Sequence, residues 1–165
     1  MSKATRATKA LDAADVSYVL HPYNYRADAD AKGLQAAQAL GLQPHTVLNL
    51  QPHTVLKTLM AWVDDRPVCV VIPCDRRVSL KKLASAYGGK SARMMEVADA
   101  ERRTGYKVGG ISPLGQQRQA PVLLETTALD ATALWINAGQ RGLLLELPGA
   151  QLLHALAARA CALCE

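Results

Sequence analysis

Two pairs of short apolar segments, each joined by a brief connection, constrain the fold of this chain more than any other feature. Residues 57–63 and 68–72 flank the turn-forming tetrapeptide Asp64-Asp65-Arg66-Pro67. Residues 133–137 and 143–147 flank a second short connection that contains two glycines. Parallel strands need a long crossover between them, so both pairs must form antiparallel hairpins.

Helices and further strands are interspersed with these hairpins. Apolar spacing, capping residues and terminal glycines predict helices over residues 5–14, 32–40, 79–87, 99–104 and 151–164. Thr5, Ser79 and Asp99 are the predicted N-caps. Residues 17–21 and 122–125 are predicted as additional strands. The fold class is therefore α+β (mixed α/β), with a mixed, mostly antiparallel sheet or partly closed barrel surrounded by helices.

The size and composition fit a single domain over residues 1–165. Half of the residues are apolar and 20% are charged, which allows a proper core and argues against disorder. No apolar run approaches the ~18 residues that a membrane helix needs. The first residues also lack the apolar stretch of a signal peptide, so we expect a soluble, cytoplasmic protein with no membrane partner.

The net charge of +5 makes nucleic acid a natural partner. Many domains this basic nevertheless bind nothing anionic, so charge alone leaves both interpretations open.

Cysteine and histidine patterns give little support for a metal or redox site. Cys161 and Cys164 have the C-x-x-C spacing of a redox pair or half a zinc site, but no second C-x-x-C accompanies them. The favoured interpretation is two thiols on the last turn of the C-terminal helix. Cys69 and Cys74 are predicted to be buried and reduced. The four histidines are scattered, and we predict no metal site.

A tandem repeat interrupts the chain before the first hairpin. Residues 42–49 read LQPHTVLN and residues 50–57 read LQPHTVLK, so the copies differ only at Asn49 and Lys57. Two copies are too few for a solenoid. A local duplication in a surface connection, or an error in the sequence, would account for it.

Two features could carry chemistry, although the sequence lacks the common nucleotide-binding, zinc-protease and serine-hydrolase motifs. Lys57 lies at the start of an apolar strand, where its ammonium either enters a pocket or extends to solvent. Residues 104–115 contain four glycines and a proline. Such a segment is either a shaped loop whose amide groups approach a ligand or an ordinary tight turn.

These same residues carry a resemblance to a known family. The matching stretches are Lys57-Thr58-Leu59, residues 104–118 (TGYKVGGISPLGQQR) and residues 136–147 (INAGQRGLLLEL). The chain resembles the YbaK/EbsC family of aminoacyl-tRNA deacylases, which are related to the editing domain of bacterial prolyl-tRNA synthetases. The resemblance extends over roughly residues 5–158.

The resemblance implies a set of site residues. Lys57 matches the lysine on which activity depends, and Gly109 and Gly110 match glycines of the substrate-facing loop; these three are the predicted catalytic residues. The predicted substrate-binding residues are Tyr23, Thr58, Ile111, Ser112, Pro113, Leu114, Gly115, Asn137, Ala138, Gly139 and Arg141.

Three departures from the family pattern bear on the site. Asn137 stands where the family usually has serine, and Leu144 stands where a polar or acidic residue is common. The repeat also adds eight residues before the lysine. Because the copy ending in Lys57 precedes Thr58-Leu59, we assign the lysine role to Lys57 and not to Asn49.

The implied activity is removal of cysteine from mischarged Cys-tRNA(Pro), with no cofactor. In this mechanism the thiol of the substrate attacks its own ester, the amides of Gly109 and Gly110 face the carbonyl oxygen, and Lys57 stabilises negative charge or fixes the tRNA end. The implied partners are the 3′ end of tRNA(Pro) and prolyl-tRNA synthetase. The alternatives are a water-dependent Ala-tRNA(Pro) deacylase and a non-catalytic module that binds tRNA or synthetase.

Overall fold

The computed structural model describes residues 4–23 and 52–165. The helices in these ranges are α1 (Arg6–Ala13), α2 (Leu80–Ala86), α3 (Val97–Thr104) and α4 (Gly149–Leu156). The strands are β1 (Val19–Pro22), β2 (Leu56–Val63), β3 (Arg66–Pro73), β4 (Ala92–Met94), β5 (Val122–Glu125), β6 (Leu134–Asn137), β7 (Leu143–Leu147) and β8 (Arg159–Cys161). The predicted helix over residues 32–40 and the first repeat copy lie outside the described residues.

The described strands form two open sheets. A five-stranded sheet has the order β4-β2-β3-β5-β8, and a three-stranded sheet has the order β1-β7-β6. The pairs β3–β5 and β5–β8 are parallel, whereas the other four pairs are antiparallel. A parallel bridge between Val55 and Trp135 connects the two sheets. The predicted α+β class and the mostly antiparallel pairing are confirmed, with two open sheets in place of the single sheet or partly closed barrel expected.

The first hairpin turns more tightly than predicted. Asp64 and Asp65 both have positive φ angles, of 48° and 65°, and β3 already begins at Arg66. This two-residue turn with left-handed backbone matches the right-handed twist of the strands it joins, and aspartate tolerates that conformation. The Asp64 carboxylate also accepts hydrogen bonds from the amides of Lys90 (2.9 Å) and Ser91 (3.0 Å), which ties the turn to β4.

Helix starts agree with two of the three predicted caps. The side chains of Thr5 and Ser79 accept hydrogen bonds from the backbone three residues on, as N-caps do. The prediction for Asp99 was wrong, because α3 begins at Val97 after the N-cap Glu96. Asp99 lies instead in the first turn, where a negative charge also favours the helix dipole.

The C-terminal helix is much shorter than predicted. It ends at Leu156, and Ala157 follows with a left-handed φ of 48°. The next residues form β8, which pairs with β5, so Cys161 and Cys164 do not lie on a helical turn. The pairing with β5 and the burial of Leu163 outweigh the helical propensity of this alanine-rich segment.

Both faces of the five-stranded sheet are covered. One hydrophobic cluster includes Met60 of β2 together with Leu11 of α1 and Leu152 of α4. The opposite cluster includes Ala61 of β2 together with Leu83 of α2. Consecutive residues of β2 therefore point into different clusters, as strand geometry requires. In the described part of the chain, no helix has the length and apolar character needed to cross a membrane.

Candidate functional site

A cavity of about 300 Å³ opens beside the first half of β2. It lies where β2, the start of α3 and the ends of β1 and β6 approach the glycine-rich segment. Its lining residues are Tyr23, Val55, Leu56, Lys57, Thr58, Leu59, Met60, Met94, Met95, Val97, Ala100, Val108, Gly109, Ile111, Asn137 and Leu144. Six of the predicted site residues therefore meet at one cavity: Tyr23, Lys57, Thr58, Gly109, Ile111 and Asn137.

The cavity contacts an edge of β2 that is open among the described residues. β4 pairs only with residues 61–63 of β2, and the last ladder bond on that side joins the Met95 amide to the Met60 carbonyl at 3.0 Å. Between this bond and the Val55–Trp135 bridge, residues 57–59 have no ladder partner on this edge among the described residues. Lys57 and Thr58, whose side chains leave β2 on opposite faces, therefore both reach the same cavity.

Lys57 provides a positive charge at this edge. Its ammonium has no hydrogen-bond or ion-pair partner in the described ranges. The charge is close enough to act on the thiol of Cys74: burial and the nearby Asp75 raise the pKa of Cys74 to about 11, and Lys57 opposes that rise. Lys57 thus places a half-buried cation in the lining of the cavity.

Thr58 contributes a hydroxyl with no described partner. Its Oγ1 is buried, yet it makes no hydrogen bond with any residue that the structure describes. A buried hydroxyl left unpaired costs about 1–3 kcal/mol. A polar group of a bound ligand would remove that cost.

The glycine-rich segment enters the cavity through a tight turn. The Gly110 amide donates to the Lys107 carbonyl at 2.7 Å, and Gly109 occupies the third position of this turn with a φ of 92°. Such a turn strongly favours glycine at that position. Gly109 lines the cavity.

The prediction that the Gly110 amide faces a substrate oxygen was wrong. Its N–H is already used by Lys107, and Gly110 is buried outside the cavity lining. Of the two predicted catalytic glycines, only Gly109 lines the cavity.

Residues 112–115 support the site from behind rather than lining it. Ser112 and Leu114 are buried, and the buried side chain of Gln116 donates to the Ser112 carbonyl at 3.1 Å. Gly115 has a φ of 63°, and a Cβ there would lie 2.4 Å from the Arg6 carbonyl oxygen. This close packing against α1 explains the glycine at position 115 as a structural requirement.

The turn between β6 and β7 contributes one lining residue. Asn137 lines the cavity, whereas Ala138, Gly139 and Arg141 do not. Tyr23 is held beside this turn because its amide donates to the Gly142 carbonyl at 2.8 Å.

The sequence patterns missed most of the apolar wall. Met60, Met95, Val97, Ala100 and Leu144 all line the cavity. Only Leu144 was singled out, as a departure from the family pattern. The other four residues come together because β2 pairs with β4 and α3 packs beside them. No local sequence motif predicts these tertiary contacts.

A metal centre is not evident in the described ranges, where no three His, Cys, Asp or Glu side chains cluster to hold an ion. Each cysteine is a free thiol. Burial raises the pKa values of Cys69 and Cys164 to about 12, as expected for inert structural thiols.

Comparison with known families places the chain in one of them. Residues 34–155, well over half of the chain, match the family model of the aminoacyl-tRNA editing domain. The chain belongs to this family. The matched range includes the cavity-lining residues of this editing domain from Val55 to Leu144.

A curated relative from Enterococcus faecalis (strain ATCC 700802 / V583) is similar to part of the chain. EbsC, named for a proposed Cys-tRNA(Pro)/Cys-tRNA(Cys) deacylase activity, is 43% identical to the editing domain over 81 residues. The match covers 49% of each protein, so this chain spans about half the length of that relative. The resemblance to the YbaK/EbsC family is confirmed.

Solved structures agree on the fold. The crystal structure of hypothetical protein APE2540 matches the editing domain with a TM-score of 0.81 at 20% identity, covering 98% of this chain and 100% of that one. A structure described as a proposed trans-editing enzyme for prolyl-tRNA synthetase gives 0.78 at 23% identity, covering 97% and 95%. At these identities the likeness establishes the architecture alone.

Proposed function

We propose that this editing domain is a trans-editing deacylase that removes cysteine from mischarged Cys-tRNA(Pro). The observation that carries the proposal is the convergence of the Lys57 ammonium, the Thr58 hydroxyl and the Gly109 turn on one cavity of an aminoacyl-tRNA editing domain. The name of the Enterococcus relative supports cysteine as the amino acid and tRNA(Pro) as the carrier.

Removal of cysteine requires few catalytic groups on the protein, because the substrate supplies the nucleophile. The cysteinyl sulfur attacks its own ester carbonyl, so that a carbon–sulfur bond forms and the carbon–oxygen bond to the ribose breaks. The thiol proton ends on the departing ribose oxygen. The products are cysteine thiolactone and tRNA with a free 3′ hydroxyl, and no water is consumed. The protein contributes positioning and charge stabilisation.

Gly109 is the proposed donor to the carbonyl oxygen of the ester. The Val108 carbonyl accepts a hydrogen bond from Arg141 Nε at 2.9 Å. In a trans peptide the next N–H points the opposite way, so the Gly109 amide is directed away from Arg141. An amide in this orientation, on a residue that lines the cavity, suits a developing oxyanion.

Lys57 is the proposed electrostatic partner of the negative charge, either on the reacting centre or on the terminal phosphate. Its lack of a described ion-pair partner makes it available for this role. Loss of one such contact typically costs ~10²–10³ in rate.

Water-dependent removal of alanine from Ala-tRNA(Pro) is the second candidate. The apolar wall favours it, because Met60, Ile111 and Leu144 line the cavity and would accept a methyl group. Pocket contacts discriminate poorly between side chains that differ by one small group. Substrate cyclisation would make that discrimination chemically, since alanine has no thiol.

The proposed substrate implies the partners and the compartment. A domain of 165 residues would obtain tRNA identity from prolyl-tRNA synthetase, and its net charge of +5 suits contact with the acceptor stem. Binding of tRNA should accordingly weaken as salt rises. The reaction would take place in the cytoplasm, with no cofactor.

The distinguishing experiment compares three esters of the same tRNA(Pro). We expect rapid loss of the cysteinyl ester, and slow loss of the S-methylcysteinyl and alanyl esters, because neither of those carries a free thiol. Quenched time courses of the remaining ester give the rates. Equal cleavage of the S-methylcysteinyl ester would eliminate the cyclisation route, and preferred cleavage of the alanyl ester would favour the second candidate.

Thr58→Val should separate substrate recognition from stability. The variant keeps the side-chain shape but removes the unpaired hydroxyl, so we expect an unchanged or higher melting temperature. We also expect kcat/KM for the cysteinyl ester to fall by about 10-fold, as for one lost hydrogen bond. Thermal unfolding and deacylation rates test both, with the exposed Thr126→Val as the control. A clear loss of stability with normal kcat/KM would mean that the hydroxyl serves the fold.

A further inference from the structure

Two segments of the site, each from one of the sequence motifs, are in contact through their backbones. These are the turn at residues 107–110 and the connection between β6 and β7, residues 138–142. A Cβ on Gly110 would lie 2.9 Å from the Arg141 amide nitrogen and 3.2 Å from the Gln140 carbonyl carbon. No side chain fits between the two segments, so each determines where the other lies.

Side chains from the β6–β7 region hold two successive carbonyls of the first turn. Arg141 Nε donates to the Val108 carbonyl at 2.9 Å, and Asn137 Nδ2 donates to the Gly109 carbonyl at 3.0 Å. The amide oxygen of Asn137 accepts from the Gly139 amide at 2.7 Å and from the Gln140 amide at 3.2 Å. The oxygen of the Asn137 side chain thus holds the β6–β7 connection, and its nitrogen holds the turn at residues 107–110. These hydrogen bonds are called the Asn137 brace below.

These contacts fix both peptide planes on either side of Gly109. The Val108–Gly109 plane is held through its carbonyl by Arg141. The Gly109–Gly110 plane is held through its carbonyl by Asn137 and through its N–H by Lys107. Glycine samples far more backbone conformations than other residues, so an unheld Gly109 would present its amide in several directions.

We propose that Asn137 is a positioning residue rather than a substrate ligand. Arg141 holds the peptide plane that carries the Gly109 N–H, and Asn137 holds the next plane, so that together they limit rotation about Gly109 and orient its amide. This inference rests on the proposed function, in which the Gly109 N–H stabilises the oxyanion. A carboxamide carries a donor and an acceptor at its two ends, which lets this one side chain bridge the two segments.

Asn137→Asp is the sharpest test because it changes only one end of the brace. The carboxylate can still accept from the Gly139 and Gln140 amides, but it turns an oxygen toward the Gly109 carbonyl. We expect kcat for the cysteinyl ester to fall by about 10²-fold, the typical loss of an oxyanion donor. KM should stay within about threefold, because the interaction with the oxyanion is made in the transition state. The melting temperature should fall, because a hydrogen bond is replaced by two oxygens that face each other.

Asn137→Ala removes the brace without adding charge, and Gln140→Ala is the matched control in the same connection. Asn137→Ala should reproduce the kcat loss, with a lower melting temperature because the β6–β7 connection loses its acceptor. Gln140→Ala should retain native kcat. An Asn137→Ala protein with native kcat, or a loss confined to KM, would overturn the proposal.

A second readout needs no turnover. In ¹H–¹⁵N spectra we expect the Gly109 amide resonance to shift or broaden in Asn137→Asp, while those of Val70 and Leu124, buried strand residues of the other sheet, stay in place. An unchanged Gly109 resonance would contradict the proposal that Asn137 holds this turn. If the native protein cleaves no ester, the proposed function fails on that assay alone, and the spectra still decide whether Asn137 holds the turn.

Discussion

Lys57→Ala is expected to lower kcat for deacylation of Cys-tRNA(Pro) by about 10²–10³-fold, with the fold intact. The ammonium lies at the open edge of β2, lines the cavity and has no ion-pair partner in the described part of the chain. In the proposed mechanism its charge acts on the negative charge that develops as the ester breaks. Removing it should cost little stability, because no described interaction is lost. Single-turnover rates and thermal unfolding measure the two effects.

Two further variants sharpen this test. Lys57→Arg keeps the charge but changes its reach and shape, and we expect partial activity between the native and alanine proteins. Lys81→Ala removes an exposed lysine of α2 outside the cavity lining, and it should deacylate at the native rate. A Lys57→Ala protein that deacylates as fast as Lys81→Ala would disprove the lysine assignment.

Glu125→Ala is expected to destabilise the fold by roughly 3–5 kcal/mol, because it leaves two buried amides and the amide of Thr127 without an acceptor. Glu125 is 4% exposed at the end of β5. One carboxylate oxygen accepts from the amides of Leu163 (2.9 Å) and Cys164 (3.1 Å), and the other accepts from Thr127 (3.2 Å). The carboxylate thereby anchors the segment after β8. Urea unfolding, compared with the exposed Glu96→Ala, measures the loss.

The same group makes stability depend on pH. Burial by itself raises the pKa of the Glu125 carboxyl, but amide donation from Leu163, Thr127 and Cys164 outweighs burial and leaves the pKa below its usual value. A carboxyl with a lowered folded-state pKa stabilises the protein above its ordinary unfolded pKa, and this contribution is lost as the pH falls through the folded value.

Glu125→Gln removes that titration while keeping one oxygen acceptor. We therefore expect the acid-induced loss of stability to be smaller in Glu125→Gln than in the native protein, in unfolding titrations below the ordinary glutamate pKa. Parallel pH profiles for the two proteins would show that Glu125 does not carry this dependence.

The elements that the sequence predicted well are those whose signals are local. Both hairpins, the caps at Thr5 and Ser79 and the helix end at Gly105 follow from turn, capping and glycine chemistry within a few residues. The fold class followed from the short connections, because they allow only antiparallel pairs.

The failures occur where tertiary contacts override local preference. Residues 157–164 look helical, yet pairing with β5 and the Glu125 carboxylate draw them into a strand and a buried extended tail. No local pattern indicates that Glu125 needs those amides. Similarly, the open edge of β2 depends on where β4 stops pairing, which the strand sequence alone does not encode.

The candidate site shows the same division. Lys57, Tyr23 and Gly109 were predicted through the resemblance, and they meet at the cavity. The Gly110 amide is engaged by a hydrogen bond to the Lys107 carbonyl within the turn, which the sequence did not predict. The apolar wall of the cavity depends on the packing of α3. Which polar groups face a ligand is therefore a property of the assembled structure.

The most direct test of the deacylase assignment is the lifetime of Cys-tRNA(Pro), labelled in the cysteine, with and without the native protein. We predict that the protein removes the label far faster than buffer alone and leaves tRNA that accepts proline again. An ester that persists equally long in both samples, for cysteinyl and alanyl tRNA(Pro) alike, would contradict the deacylase assignment.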